Sequence, residues 1–124
     1  NGAIEGIAVS GDGKTIHTAG QDKTIRSWDS RTGTVIRAID GHASCVQCLA
    51  LSGDGRLLAS GAQSGRIRLW DTATGRLLRV LSGHTNTVYS LAFSPDAQRL
   101  VSGSFDRTVK VWQTSTGRRV TRKS

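Results

Sequence analysis

Residues 83–113 read Gly83-His84-Thr85-Asn86-Thr87-Val88-Tyr89-Ser90-Leu91-Ala92-Phe93, then Ser94-Pro95-Asp96-Ala97-Gln98-Arg99-Leu100-Val101-Ser102-Gly103, then Ser104-Phe105-Asp106-Arg107-Thr108-Val109-Lys110-Val111-Trp112-Gln113. Apolar residues alternate with polar ones along Val88–Phe93. A Pro-Asp turn follows, then a short run from Arg99 to Gly103, a second turn at Ser104–Arg107, and a last run from Thr108 to Trp112. Period-2 alternation broken by turn residues predicts three short strands. The same stretch occurs earlier in the chain. Trp112 lies 42 residues after Trp70, which lies 42 after Trp28, and His84 lies 42 after His42. Asp12, Asp54 and Asp96 keep that interval, as do Gly33, Gly75 and Gly117. A fixed period near 42 with four strands per unit marks a repeat architecture.

Outward from that stretch, the other units take the same register. In the first, strand a carries Ile4, Ile7 and Val9, Ser10–Gly13 turns, strand b holds Ile16 and Thr18, strand c runs Ile25–Trp28 and strand d Thr34–Ile39. In the second, a is Val46–Leu51, b Arg56–Gly61, c Arg66–Trp70 and d Arg76–Leu81. In the third, d falls at Arg118–Lys123. The units span 1–42, 43–84 and 85–124, and no segment of helical period competes with them.

The Gly-His heads, the Trp-Asp pairs Trp28-Asp29 and Trp70-Asp71, and the Ser-Gly-Asp-Gly and Ser-Pro-Asp turns resemble the WD-repeat family of β-propellers over essentially the whole chain. The resemblance implies an all-β fold of three four-stranded antiparallel blades, a half-propeller. Three blades fall short of a ring, since propellers typically carry about four to eight. The chain begins at a strand a and stops after a strand d, with no strand to lend. Ring closure is therefore expected by homo-oligomerisation, the third blade of one copy packing on the first blade of another. Two copies make six blades, so a dimer is favoured over a trimer.

The resemblance also implies a hydrogen-bonded set in each blade. The third unit supplies His84, Ser102, Asp106 and Trp112. The second supplies His42, Ser60 and Trp70, with Ser64 in the Asp place. The first supplies Thr18, Asp22 and Trp28 and lacks the His. Asp106 and Ser102 are suited to the two imidazole nitrogens, and Trp112 to donating its indole N–H. A Ser-His-Asp hydrolase is rejected, because the set recurs as a repeat feature and a single active site would not.

Other patterns resolve into structure. Cys45-Val46-Gln47-Cys48 follows His42, but residues i and i+3 of a strand point to opposite faces, and no second cluster completes a zinc site. Gly11-Asp12-Gly13-Lys14-Thr15 ends like a phosphate-binding loop, but Ala8 stands where the earlier Gly is needed and no helix follows. His17 aligns with Ala59 and Val101, positions that should face a neighbouring blade. If buried at the closing seam between chains, it would make that seam pH-sensitive.

The net charge of +8 is uneven: residues 1–40 sum to zero, 43–82 to +3 and 85–124 to +5. Arg118, Arg119, Arg122 and Lys123 on the outermost strand would protect an exposed edge. An anionic partner such as nucleic acid is the competing reading. No apolar run approaches the roughly 20 residues of a membrane-spanning helix, and a cytoplasmic chain is expected.

The expected function is a non-catalytic protein–protein interaction scaffold with no cofactor and no metal. By resemblance, a protein or peptide partner docks where the d–a and b–c connections meet. The candidate contacts there are Gln21, Cys45, Gln47, Gln63, Thr87, Tyr89 and Phe105, the two aromatics foremost. The alternatives are a nucleic-acid or anion binder using the basic third blade, and a designed or excised repeat fragment with no evolved partner.

Overall fold

The computed structural model describes residues 4–10, 13–20, 23–40, 45–72, 74–82, 84–114 and 116–117. It holds eleven strands in these segments: β1 (Ile4–Val9), β2 (Thr15–Gly20), β3 (Thr24–Asp29), β4 (Val35–Asp40), β5 (Val46–Leu51), β6 (Leu57–Ala62), β7 (Ile67–Asp71), β8 (Leu77–Leu81), β9 (Val88–Phe93), β10 (Arg99–Ser104) and β11 (Val109–Gln113). They form three antiparallel sheets in simple meander order: β1-β2-β3-β4, β5-β6-β7-β8 and β9-β10-β11. No helix occurs among the described residues. The expected fourth strand of the third unit, with Arg118, Arg119, Arg122 and Lys123, lies outside them.

The turns explain why strands of this length form. In the second sheet the Ser52 hydroxyl donates to Asp54 Oδ1 at 2.6 Å, and that oxygen accepts the Arg56 amide at 3.0 Å. Ser94, Asp96 and Gln98 repeat the arrangement 42 residues later, at 2.6 and 3.0 Å. The serine hydroxyl comes first among the causes that hold both carboxyls below the usual carboxylate range. These turns require a left-handed residue. Gly13 and Gly55 supply it at φ +73° and +75°, whereas the third unit uses Ala97 at +61°. A hydroxyl from the following c–d loop then ties each turn down: Ser30 to Gly13 O at 2.5 Å, Thr72 to Gly55 O at 2.6 Å and Thr114 to Ala97 O at 2.6 Å.

The sheets stack in series through their first strands, β1 on β5 and β5 on β9. The first seam buries Ala19, Ile25, Val46, Leu49, Leu58 and Trp70. The second buries Cys48, Ala59, Ile67, Leu69, Leu81, Val88, Leu100 and Trp112. At the two ends of the stack the equivalent positions are open. Ile7 and Val9 are 62% and 55% exposed, against partly or fully buried Leu49 and Leu51 one unit later. Val109 is 70% exposed, against fully buried Ile67 one unit earlier.

Across both seams the outer strand reaches over to the next sheet. Arg37 Nη1 donates to Thr74 O at 2.6 Å, and Arg79 Nη1 to Thr116 O at 3.1 Å.

Candidate functional site

Each sheet carries an indole-to-hydroxyl bond between its b and c strands: Trp28 to Thr18, Trp70 to Ser60 and Trp112 to Ser102, all 2.9 Å. Cross-strand register produces them, with Ile16 opposite Trp28, Leu58 opposite Trp70 and Leu100 opposite Trp112, and the hydroxyl residue two positions further along the same face. In the third sheet the chain of bonds continues. Ser102 Oγ lies 2.7 Å from His84 Nε2, and His84 Nδ1 lies 3.0 Å from Asp106 Oδ2. An ionised carboxylate only accepts, so Nδ1 carries the proton. Nε2 then accepts from Ser102, which accepts from Trp112. Donors and acceptors match throughout the order Trp112, Ser102, His84, Asp106.

Asp106 is held further than the spacing indicated. Thr108 donates its hydroxyl to Oδ1 at 2.5 Å, its amide to the same oxygen at 2.9 Å, and the Thr85 amide reaches Oδ2 at 3.0 Å. The Thr108 hydroxyl comes first, and with the Thr85 amide and the imidazole it keeps this carboxyl well below the usual carboxylate range. Thr108 and Thr85 were missed by the sequence reading; the Asp-x-Thr spacing of Asp106-Arg107-Thr108 is the signal that could have found the first. The Ser–His–Asp constellation has its serine proton committed to the imidazole and its oxygen to an indole, fully buried. Nothing in that geometry leaves a hydroxyl directed at a substrate. His42 and Asp22 lie outside the described residues.

The d–a connection ahead of β9 rests on the second sheet. A Cβ at Gly65, which sits at φ +87°, would clash with His84 O. Cys48 points into the same seam, 3.4 Å from Val88 O, and burial pushes its thiol up to about 12. Cys45 lies at the start of the strand and both thiols are free.

At the end of the stack where the b–c turns meet the starts of the a strands, the candidate contacts come together. The Gln63 amide donates to Cys45 O and the Phe105 amide to Thr87 O, both 3.0 Å. The Thr87 hydroxyl faces Gln63 O at 3.5 Å. Tyr89 and Phe105 form a tilted ring pair with centroids 4.9 Å apart, and they are 49% and 63% exposed. Gln47, one unit before Tyr89, is half-buried. Gln21 lies outside the described residues.

His17 corrects the sequence reading. It is 3% exposed and bonds through Nδ1 to Ser27 Oγ at 2.8 Å. The seam it faces is the one between the first and second sheets of the same chain, because it lines a cavity with Gly53, Asp54, Gly55 and Thr72 of the second sheet's turns. The face of a strand that meets the preceding sheet is the Trp face. Its opposite face, which includes His17, meets the following one. His17 is therefore remote from the open end of the first sheet, where a closing seam would fall.

Three tandem sheets, each with an indole bonded to a b-strand hydroxyl, define the repeat unit of a β-propeller. The chain belongs to the family described as WD domain, G-beta repeat, which matches at residues 1–29, 33–71 and 75–113. The second and third matches each run from the d strand of one sheet to the c strand of the next. The crystal structure of the RRP9 WD40 repeats superposes with a TM-score of 0.92 at 34% identity, covering 98% of this chain and 39% of that one. The structure of U3-55K gives the same score and identity, with 98% and 40% covered. The U3 snoRNP-associated protein-like YAO of Arabidopsis thaliana is 42% identical over 43 residues, 35% of this chain and 8% of that protein. The chain thus spans about 40% of the length of the solved chains it resembles.

Proposed function

We propose that the chain is a non-catalytic protein-interaction scaffold whose partner, a protein or peptide, docks on the end that carries Tyr89 and Phe105. The observation that carries the reading is the exposed Tyr89–Phe105 pair, braced from below by the Phe105–Thr87 backbone bond. Large rigid aromatics bury much area at low entropic cost, which makes them common interface anchors. WD-repeat folds are interaction platforms in general, which supports the same reading. Cysteine or metal chemistry does not enter it, and a cytoplasmic setting is part of it.

Self-completion belongs to this proposal. The open faces carrying Ile7 and Val9 at one end and Val101 and Val109 at the other are the counterparts of buried seam surfaces. Two copies stacked head to tail would cover both with six sheets. Light scattering tests this: a species at twice the 13.2 kDa chain mass is expected, and a monomer refutes self-completion.

The docking face is tested by panning a random peptide library against the chain. The binders are expected to lose about tenfold in affinity, or roughly 1.4 kcal/mol, to a Tyr89→Ala/Phe105→Ala variant. Binders that ignore this variant and are lost instead to Val109→Glu would overturn the reading. A second reading, an RNA-binding surface, draws on the net charge of +8 and on the snoRNP named for one relative. Counterion release predicts steep loss of RNA affinity between low and moderate salt, and salt-independent or absent binding rejects it.

A further inference from the structure

Charge in the second and third sheets is sorted by end. Residues 43–124 contain four acids, Asp54, Asp71, Asp96 and Asp106. Asp54 and Asp96 lie in the a–b turns and Asp71 closes β7 at the c–d loop, all at the end opposite Tyr89 and Phe105. Arg56, Arg76 and Arg99 share that end with them. Asp106 alone lies at the aromatic end. Its side chain is 9% exposed, and four donors already meet it: the Thr108 hydroxyl and amide, the Thr85 amide and His84 Nδ1.

The cations at the aromatic end are not matched in this way. Arg66 and Arg107 sit in the two b–c turns, both exposed, and neither enters an ion pair among the described residues. Thr87 joins the two turns, since its carbonyl takes the Phe105 amide at 3.0 Å and its hydroxyl faces Gln63 O at 3.5 Å. Both arginines therefore belong to the patch that presents Tyr89 and Phe105. Arg68 follows in β7, where burial first and then the charge of Arg66 pull its guanidinium below the usual arginine value. Lys110 adds a half-buried cation in β11. Opposite charge steers and orients a partner, and aromatics with arginine are enriched where interfaces form.

We propose that the partner is an acidic peptide segment, one aromatic or aliphatic residue packing on Tyr89 and Phe105 and neighbouring Asp or Glu residues meeting Arg66 and Arg107. This rests on the docking reading above and narrows its partner. A random peptide library displayed on phage is selected against the full chain at low salt. The selected peptides are expected to carry several Asp or Glu beside an apolar residue. Arg66→Glu/Arg107→Glu should weaken them by at least about fivefold, with Arg66→Gln/Arg107→Gln intermediate, and added salt should weaken binding to the parent more than to either variant. Neutral or basic peptides that are lost to Tyr89→Ala/Phe105→Ala but indifferent to charge reversal overturn this inference and leave the docking reading standing. Peptides that ignore both sets of variants, or a library that yields no binder, overturn both. Single-stranded oligouridine bound more tightly than the best peptide, and lost to both sets of variants, overturns the acidic peptide in favour of RNA.

Discussion

Replacing Ser102 with Ala isolates the polar chain at the heart of the third sheet. Ser102 is fully buried, accepts the Trp112 indole N–H at 2.9 Å and donates to His84 Nε2 at 2.7 Å. Removing one oxygen therefore strands a donor and an acceptor, both inside the protein. Each such group costs about 1–3 kcal/mol, so the variant should lose about 2–6 kcal/mol. The assay is urea unfolding followed by far-UV circular dichroism, where a slope of about 1–3 kcal/mol per molar turns that loss into a midpoint shift of at least about 0.7 M. The companion change Trp112→Phe removes the stranded donor. Combined with Ser102→Ala, it should cost less than the sum of the two single changes by at least about 1 kcal/mol, since residues in one network are not additive. Thr18→Val in the first sheet strands only the half-buried Trp28 donor and should cost less than Ser102→Ala. Additive energies for Ser102 and Trp112, or a loss under about 1 kcal/mol, would refute the claim that the four groups act as one chain.

Burial lowers the affinity of His17 for its proton, so folding should weaken in acid. Above the ordinary imidazole value of about 6.5 both folded and unfolded chains are neutral there; below it only the unfolded chain takes up the proton, and stability falls by up to about 1.4 kcal/mol per pH unit. Arg37 and Asp54 line the same cavity, and the Ser52 hydroxyl first of all holds the Asp54 carboxyl below the usual carboxylate range, so unfolding midpoints of His17→Ala should fall less than those of the parent between pH 7.5 and 5.5; parallel curves refute this. Ala97→Gly relieves a left-handed residue at φ +61° and should raise stability by about 0.5–1 kcal/mol in thermal unfolding. Gly65→Ala adds strain at φ +87° to a Cβ that clashes with His84 O and should cost more than about 2 kcal/mol. Gly55→Ala, left-handed but facing open space, should cost about half as much by the same assay.

The repeat was legible because its markers are chemically demanding. A tryptophan every 42 residues needs a hydroxyl for its N–H, and a Ser-x-Asp turn needs its own three bonds. Strand ends moved by a residue for a simple reason: β7 extends to Asp71 because Leu57 pairs opposite it, and a Trp is not itself a terminator. The seam that His17 faces was not legible, because alternation gives two faces without saying which sheet each one meets. The stacking of Tyr89 on Phe105 was equally hidden, since the residues are 16 positions apart and meet only when β9 pairs beside β10. The arginines that bridge the seams were visible as Arg37 and Arg79 at the repeat interval. Their acceptors are backbone carbonyls, which leave no mark in sequence.

Because the sheets stack in series among the described residues, β1 on β5 and β5 on β9, the molecule behaves as a row of three coupled units. Only the β5–β8 sheet has a neighbour on both sides. Opening the first or last sheet breaks one seam, whereas opening the middle one breaks two. Amide protons of β6 and β7 should therefore exchange most slowly, with protection falling away towards both ends of the row. Whatever covers the two terminal faces adds a seam to each outer sheet and flattens that gradient, so the exchange profile doubles as a gauge of whether the row has been closed into a circle.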